Sequence, residues 1–117
     1  MAKSKYHAIR TTLDGITFDS KREAARYRDL KILEKIGEIW DLELQPKFPL
    51  VVASTSGYVA GACREPQRIG EYQADFKYHD KTRVPYVVED VKGMKTPLYK
   101  WKKRHVEAQY GITVTEI

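Results

Sequence analysis

An aspartate and a lysine two residues apart, Asp90 and Lys92, close the run Tyr86-Val87-Val88-Glu89-Asp90-Val91-Lys92-Gly93. The run opens with β-branched apolar residues of the kind a protein buries, then carries acid, acid and lysine into its end. An ionised carboxylate or ammonium is costly to bury unless it is paired or binds a metal. Strand side chains alternate, so Asp90 and Lys92 project from one face and Glu89 from the other. A carboxylate and a lysine side by side at a strand end suit metal-assisted chemistry on a phosphate. The acid holds a divalent cation, and the ammonium neutralises developing charge or positions a water.

The spacing alone is weak. The chain has four acid-x-Lys pairs, Asp19/Lys21, Asp29/Lys31, Asp75/Lys77 and Asp90/Lys92, where its composition predicts about two by chance. The first two lie at or within an expected helix, where residues two apart do not face each other. The fourth stands out because its flank reads as a buried strand, and its value depends on further acids reaching the same point. Asp75, in the middle of Glu71–His79 (EYQADFKYH), is one. There Tyr72, Ala74, Phe76 and Tyr78 are expected on one face, and Gln73, Asp75 and Lys77 on the other. If this strand pairs with the next through a turn at 80–83, Asp75 comes across from the Asp90/Lys92 end; otherwise it is a surface carboxylate beside Lys77. Clustered acids are tolerated mainly when a cation sits between them, and oxygen ligands without His or Cys favour Mg²⁺ or Mn²⁺ over zinc. Glu23 completes a capping box with Ser20, or else supplies a third carboxylate. Gln45, before Pro46, is a turn amide or a group for a metal-bound water or a phosphate.

The elements that must position these residues are legible in outline. Residues 8–18 alternate around Asp14-Gly15, a hairpin signal. Ser20 opens a helix with apolar residues at helical spacing to Ile36, and Gly37 stops it. Ile39–Gln45 leads through Pro46 into a strand at Phe48–Ala53. Residues 54–70 read as a mobile loop. Glu71–His79 and Val84–Lys92 are strands, Thr96-Pro97 begins a second helix ending at Tyr110-Gly111, and Ile112–Ile117 is a last strand. The expected class is α/β, a sheet covered by two helices. On the second helix, Trp101 shares a face with Leu98, His105 and Ala108 and is assigned to the core. Tyr99 could stack on or bond to DNA.

The bulk numbers permit this. At 117 residues, 42% apolar and 32% charged, the chain reads as one domain, 1–117. No apolar run approaches the roughly 20 residues that span a bilayer, and the N-terminus carries no signal-peptide core. Cys63 is the lone cysteine, which excludes an internal disulfide and a cysteine-built zinc site and fits an intracellular setting. His7, His79 and His105 have no ligand spacing. The net charge of +5 favours nucleic acid only weakly, but its distribution says more. Between Lys92 and Arg104 stand six bases (Lys92, Lys95, Lys100, Lys102, Lys103, Arg104) and no acid, and Lys3, Lys5, His7 and Arg10 form a second cluster in a basic tail, residues 1–10.

The order Glu23 on a helix, Asp75 on a strand, Asp90-x-Lys92 on the next and a basic helix resembles the PD-(D/E)XK nuclease superfamily. More closely, FDSKREAARYRDL, GEIWDLELQPKFPL, YQADFKYH and VVEDVKGMKTPLYKWKK are similar to small phage and prophage proteins placed in it (DUF1064-like), from about residue 13 to the C-terminus. The resemblance implies a restriction-endonuclease-like αβββαβ core behind an N-terminal β-hairpin, with a mixed central sheet flanked by two helices. It implies a Mg²⁺-dependent site, with Mn²⁺ able to substitute, and a phosphodiester substrate, usually DNA. By position Asp75 and Asp90 match the motif acids, Lys92 the lysine, Glu23 the helix glutamate, and Gln45 a glutamine of related branches. Ala74 stands where the motif has proline. Glu89 is the alternative second acid; Asp90 is preferred because it shares a face with Lys92.

The expected function is a metal-dependent endodeoxyribonuclease. Asp75, Asp90 and Glu23 would bind Mg²⁺ and Lys92 would act on the water, while Lys3, Lys5, Arg10, Lys95, Lys100, Lys102 and Lys103 would grip the backbone. So small a chain has little surface for reading bases, which favours branched or junction DNA in phage recombination or processing. A homodimer would supply paired cuts, in a bacterial host cytoplasm and away from any membrane. The rivals are a non-catalytic nucleic-acid-binding module of the same fold and a phage assembly protein.

Overall fold

The computed structural model describes residues 10–52 and 66–117. Strands β1 (Thr11–Leu13) and β2 (Ile16–Phe18) form an antiparallel hairpin. Asp14 and Gly15 both take positive φ at its tip, as a two-residue turn with the twist of its strands requires. Ser20 then caps helix α1 (Lys21–Lys35), its Oγ accepting from the Glu23 N–H at 3.1 Å. Gly37, at φ 85°, lets the chain leave the helix and turn into strand β3.

Five strands separate the two helices: β3 (Ile39–Leu44), β4 (Lys47–Val52), β5 (Gln67–Gln73), β6 (Phe76–Asp80) and β7 (Val87–Asp90). Helix α2 (Pro97–Tyr110) follows, capped by Thr96 and ended by Gly111 in the left-handed region, as the sequence predicts. Strand β8 (Val114–Glu116) ends the order. The central sheet runs β3-β6-β7-β8, antiparallel except for the parallel β7–β8 pair, while β4 and β5 form a separate two-stranded ladder. The fold is thus α/β with a mixed central sheet.

Each face of that sheet has its own apolar core. Leu30, Tyr27 and Ala24 of α1 pack with Ile39, Phe76, Tyr78, Val87 and Phe18 on one side. Tyr99 and Val106 of α2 pack with Val88, Val114, Ile112 and the β4–β5 residues Phe48, Leu50 and Tyr72 on the other. Among the described residues no helix is long and apolar enough to cross a membrane.

Three expectations need correction. EYQADFKYH is not one strand: it changes sheets between Gln73 and Phe76, so Tyr72 and Ala74 join the α2-side core while Phe76 and Tyr78 join the α1-side core. Pure alternation cannot foresee a slip of one residue. Strand β5 begins at Gln67, inside the stretch 54–70 read as a loop, because pairing with β4 overrides local polarity; residues 53–65 lie outside the described ones. On α2 the buried residues are Tyr99 and Val106, which leaves Leu98 62% and Trp101 65% exposed.

Leu30 is fully buried at the centre of the α1 layer. Leu30→Ala is expected to lower the unfolding free energy by about 2–5 kcal/mol. The check is a lower denaturant midpoint at unchanged slope; an unchanged midpoint would mean that α1 is not packed as described.

Candidate active site

Residues far apart in sequence line one cleft of about 590 Å³: Asp19, Ser20, Arg22, Glu23, Asp75, Val91, Lys92, Gly93 and Met94. Asp90 lies beneath, fully buried at the end of β7. The sheet sets this convergence. Strand β6 pairs with β7 through Phe76↔Glu89, and the preceding Asp75 N–H donates to the Glu89 carbonyl at 3.1 Å. Asp75 therefore lies at the sheet switch, beside the acidic end of β7. The Gln45 N–H donates to the Asp75 carbonyl at 2.9 Å and holds the switch from the other side. The Val91 N–H donates to Asp75 Oδ2 at 2.7 Å, which turns that carboxyl toward the Asp90/Lys92 end.

Alternation along β7 decides between the two adjacent acids. Glu89 faces α1, where Arg26 grips both its oxygens, Nε to Oε1 at 2.7 Å and Nη2 to Oε2 at 2.6 Å, and Tyr78 Oη donates to Oε2. It is a satisfied structural anion. Asp90 faces the α2 layer with Lys92. Tyr72 Oη donates to its Oδ2. Lys92 Nζ lies 3.2 Å from Oδ1, close enough for attraction but without hydrogen-bond geometry. That oxygen is the one buried side-chain polar atom without a hydrogen-bond partner among the described residues. Such orphans are rare, and each calls for an explanation. The Lys92 ammonium also sits 4.7 Å from the centre of the Tyr99 ring, which fixes it over the cleft.

Burial and mutual repulsion raise the proton affinity of the cluster. Desolvation pushes the Asp75 carboxyl up to about 8, with the nearby Asp90 and Glu23 carboxylates adding to the shift and the Val91 N–H opposing it. Glu23 is raised as well, first by burial and then by Asp19, with Asp90 contributing. Acids placed so that they resist losing their protons mark functional-site candidates.

A family model described as "Protein of unknown function (DUF1064)" matches residues 3–115. The chain belongs to this family. No curated protein and no solved structure matches it.

The DUF1064 chain brings Glu23, Asp75, Asp90 and Lys92 together as the sequence suggests and separates Glu89 from them. Gln45 touches the site only through its backbone; its side chain is exposed. Tyr99 is buried, its hydroxyl donating to Glu116 at 3.0 Å, so it is not free to stack on a ligand. Of the basic set, Lys95 pairs with Glu116, Lys102 donates to the Glu71 carbonyl and Lys103 pairs with Glu107. Arg10 is exposed, whereas Lys3 and Lys5 lie outside the described residues. Tyr72, Arg22 and Asp19 escape the sequence reading. Tyr72 was readable as an inward residue of its strand, but not as the donor to Asp90.

Among the described residues no three acidic, His or Cys side chains already form a closed metal cage. The side chains that could hold a cation here are the carboxylates of Asp75 and Asp90, with Glu23 at the rim. Such an oxygen-only set suits a hard cation that keeps several waters and takes one or two carboxylates.

The folded protein holds the Asp75 proton more tightly than the unfolded chain does. Its contribution to stability is therefore full below the ordinary carboxylate value of 3.8 and is lost as pH rises to about 8; Glu23 acts in the same direction. In metal-free buffer the melting temperature is expected to fall across that window, and Asp75→Asn to remove much of the fall. Equal profiles for the two proteins would show Asp75 ionised throughout.

Proposed function

We propose that this protein is a metal-dependent endodeoxyribonuclease of the PD-(D/E)XK kind, with a restriction-endonuclease-like core. The observation that carries the reading is the buried Asp90, one of whose oxygens has the Lys92 ammonium near it but no hydrogen bond, beneath a cleft that also gathers Asp75, Glu23 and Lys92. The element order α1, β3, β6, β7, α2, β8 agrees with the αβββαβ core of that superfamily once β4–β5 is set aside as an inserted hairpin.

Asp75 and Asp90 would hold Mg²⁺ or Mn²⁺, with Glu23 on the ion or its water. The bound ion supplies positive charge at the phosphate and makes water more acidic. Lys92 contributes a cation without needing to lose a proton: held between Asp90 and the Tyr99 ring, it orients the attacking water and faces the charge that builds on the phosphate. The water oxygen forms the new bond to phosphorus as one ester P–O bond breaks. Tyr72 fixes the Asp90 rotamer so that Oδ1 stays directed at the site. Arg22, anchored 2.9 Å from the Ile117 carbonyl, sits at the rim where a neighbouring phosphate would pass.

The substrate would be DNA, with branched or otherwise structured DNA favoured, and phage recombination or DNA processing in the bacterial cytoplasm the setting. Paired cuts would need two clefts and hence a homodimer. A non-catalytic binding module or a phage assembly protein would have no use for an unsatisfied buried carboxylate beside a lysine.

Labelled four-way junction, flap, duplex and single-stranded DNA, incubated with Mg²⁺, Mn²⁺ or EDTA, test the reading. Cutting is expected only with metal, to be lost in Asp90→Asn, and to fall roughly 10²–10³-fold in Lys92→Ala. Glu89→Gln is expected to lower stability instead, because it leaves Arg26 without its buried partner. Metal-independent binding with no cutting, equal in wild type and Asp90→Asn, would leave a binding module.

A further inference from the structure

The outer face of α2 carries exposed apolar side chains that the fold does not use. Leu98 is 62% exposed and Trp101 65% exposed, and they are neighbours one turn apart on the helix surface. Met94, at the rim of the cleft, is 57% exposed. Leu98 also lines a groove with Lys92, Tyr99, Lys102 and Glu71, which joins the Leu98 end of the apolar strip to the cleft's own lysine. Arg104 lines a shallow groove with Trp101 and His105. Among the described residues the side chains of Arg104 and Lys100 make no ion pair or hydrogen bond, unlike those of Lys95, Lys102 and Lys103.

A large exposed aromatic ring flanked by unpaired cations, on a segment with no acid between Lys92 and Arg104, has the chemistry of a stacking platform for a polyanion. A base inside a duplex has both faces covered by its neighbours, whereas an unpaired base offers a free face. We propose that Trp101, with Leu98, Lys100 and Arg104, binds a single-stranded segment of nucleic acid and leads it along α2 to the cleft. The inference deepens the nuclease reading and rests on it for the role of the cleft, because it makes the substrate one with an unpaired arm next to the cut. A docked protein is the competing occupant, but the free cations Lys100 and Arg104, in a stretch from 92 to 104 that contains no acid, favour nucleic acid.

The test measures binding without cutting. Fluorescein-labelled oligo-dT and a duplex of equal length are titrated in EDTA with wild type, Trp101→Ala and Trp101→Phe, at matched low salt. Trp101→Ala is expected to bind oligo-dT roughly 10- to 100-fold more weakly and the duplex almost unchanged, with Trp101→Phe keeping most of the affinity. Trp101 is exposed, so the variants should melt like wild type. The chain has two tryptophans, so in a Trp40→Phe background the fluorescence of Trp101 alone should be quenched by oligo-dT. Unchanged oligo-dT affinity in Trp101→Ala, equal loss on both ligands, or absent quenching would overturn the proposal. So would dissociation of an oligomer in Trp101→Ala with oligo-dT affinity intact. The two readings fail separately: a lack of metal-dependent cutting would sink the nuclease, while Trp101-dependent binding of single strands would still stand.

Discussion

A single buried charge, that of Asp90, constrains more of this structure than any other group. The strand end that carries it has no exposure to water, and a carboxylate there would cost several kcal/mol without compensation. The neighbouring Glu89 meets the same problem and solves it fully, with a two-pronged arginine and a tyrosine hydroxyl. Asp90 solves only half of it, through Tyr72 on one oxygen and an imperfectly aligned ammonium near the other. Two adjacent acids, equally buried and differently satisfied, separate structural work from something else. A fold built for stability alone gains nothing from the second acid in this state, and the proposed cation is what would complete it.

The slip of the chain between β5 and β6 is what gives Asp90 its company. Up to Ala74 the chain pairs with β4 and faces the α2 layer; from Phe76 it pairs with β3 and β7 and faces α1 with its large side chains. Asp75 stands at the crossing. Its carbonyl and N–H are held by Gln45 and Glu89, so the backbone needs nothing from the side chain. The carboxyl is then free to be positioned by the Val91 N–H, in contact with the charge of Asp90 and Glu23. Burial first, and then repulsion among these acids, raises their proton affinity, and the same repulsion would favour capture of a divalent cation.

How much of this was legible in the sequence varied with how local the cause was. The hairpin at Asp14-Gly15, the caps at Ser20 and Thr96 and the stops at Gly37 and Gly111 are short-range chemistry, and each appears where the sequence puts it. The choice of Asp90 over Glu89 followed from alternation alone, which holds within a single strand. Alternation failed where a strand changes partners, so the faces of Tyr72 and Phe76 were misjudged. It failed again on α2, where helical spacing put Trp101 in the core with Leu98, while tertiary packing buries Tyr99 and Val106 instead. The Tyr72–Asp90 and Arg26–Glu89 contacts are long-range partnerships that no spacing encodes.

The net positive charge is a poorer guide to binding than the fate of each cation. Much of the basic run after Lys92 is engaged in the fold: Lys95 and Lys103 neutralise acids, and Lys102 holds a strand carbonyl. An ammonium already tied to a carboxylate releases little on meeting a phosphate, because the contact must first break. Lys100 and Arg104 are different, since nothing in the described fold draws on their charge. Their position beside an exposed indole, on the helix that starts at the cleft, ties the free charge to a surface that can also bind bases. If that surface were only a solubilising face, lysine alone would serve, and a two-thirds exposed tryptophan would add apolar area without return.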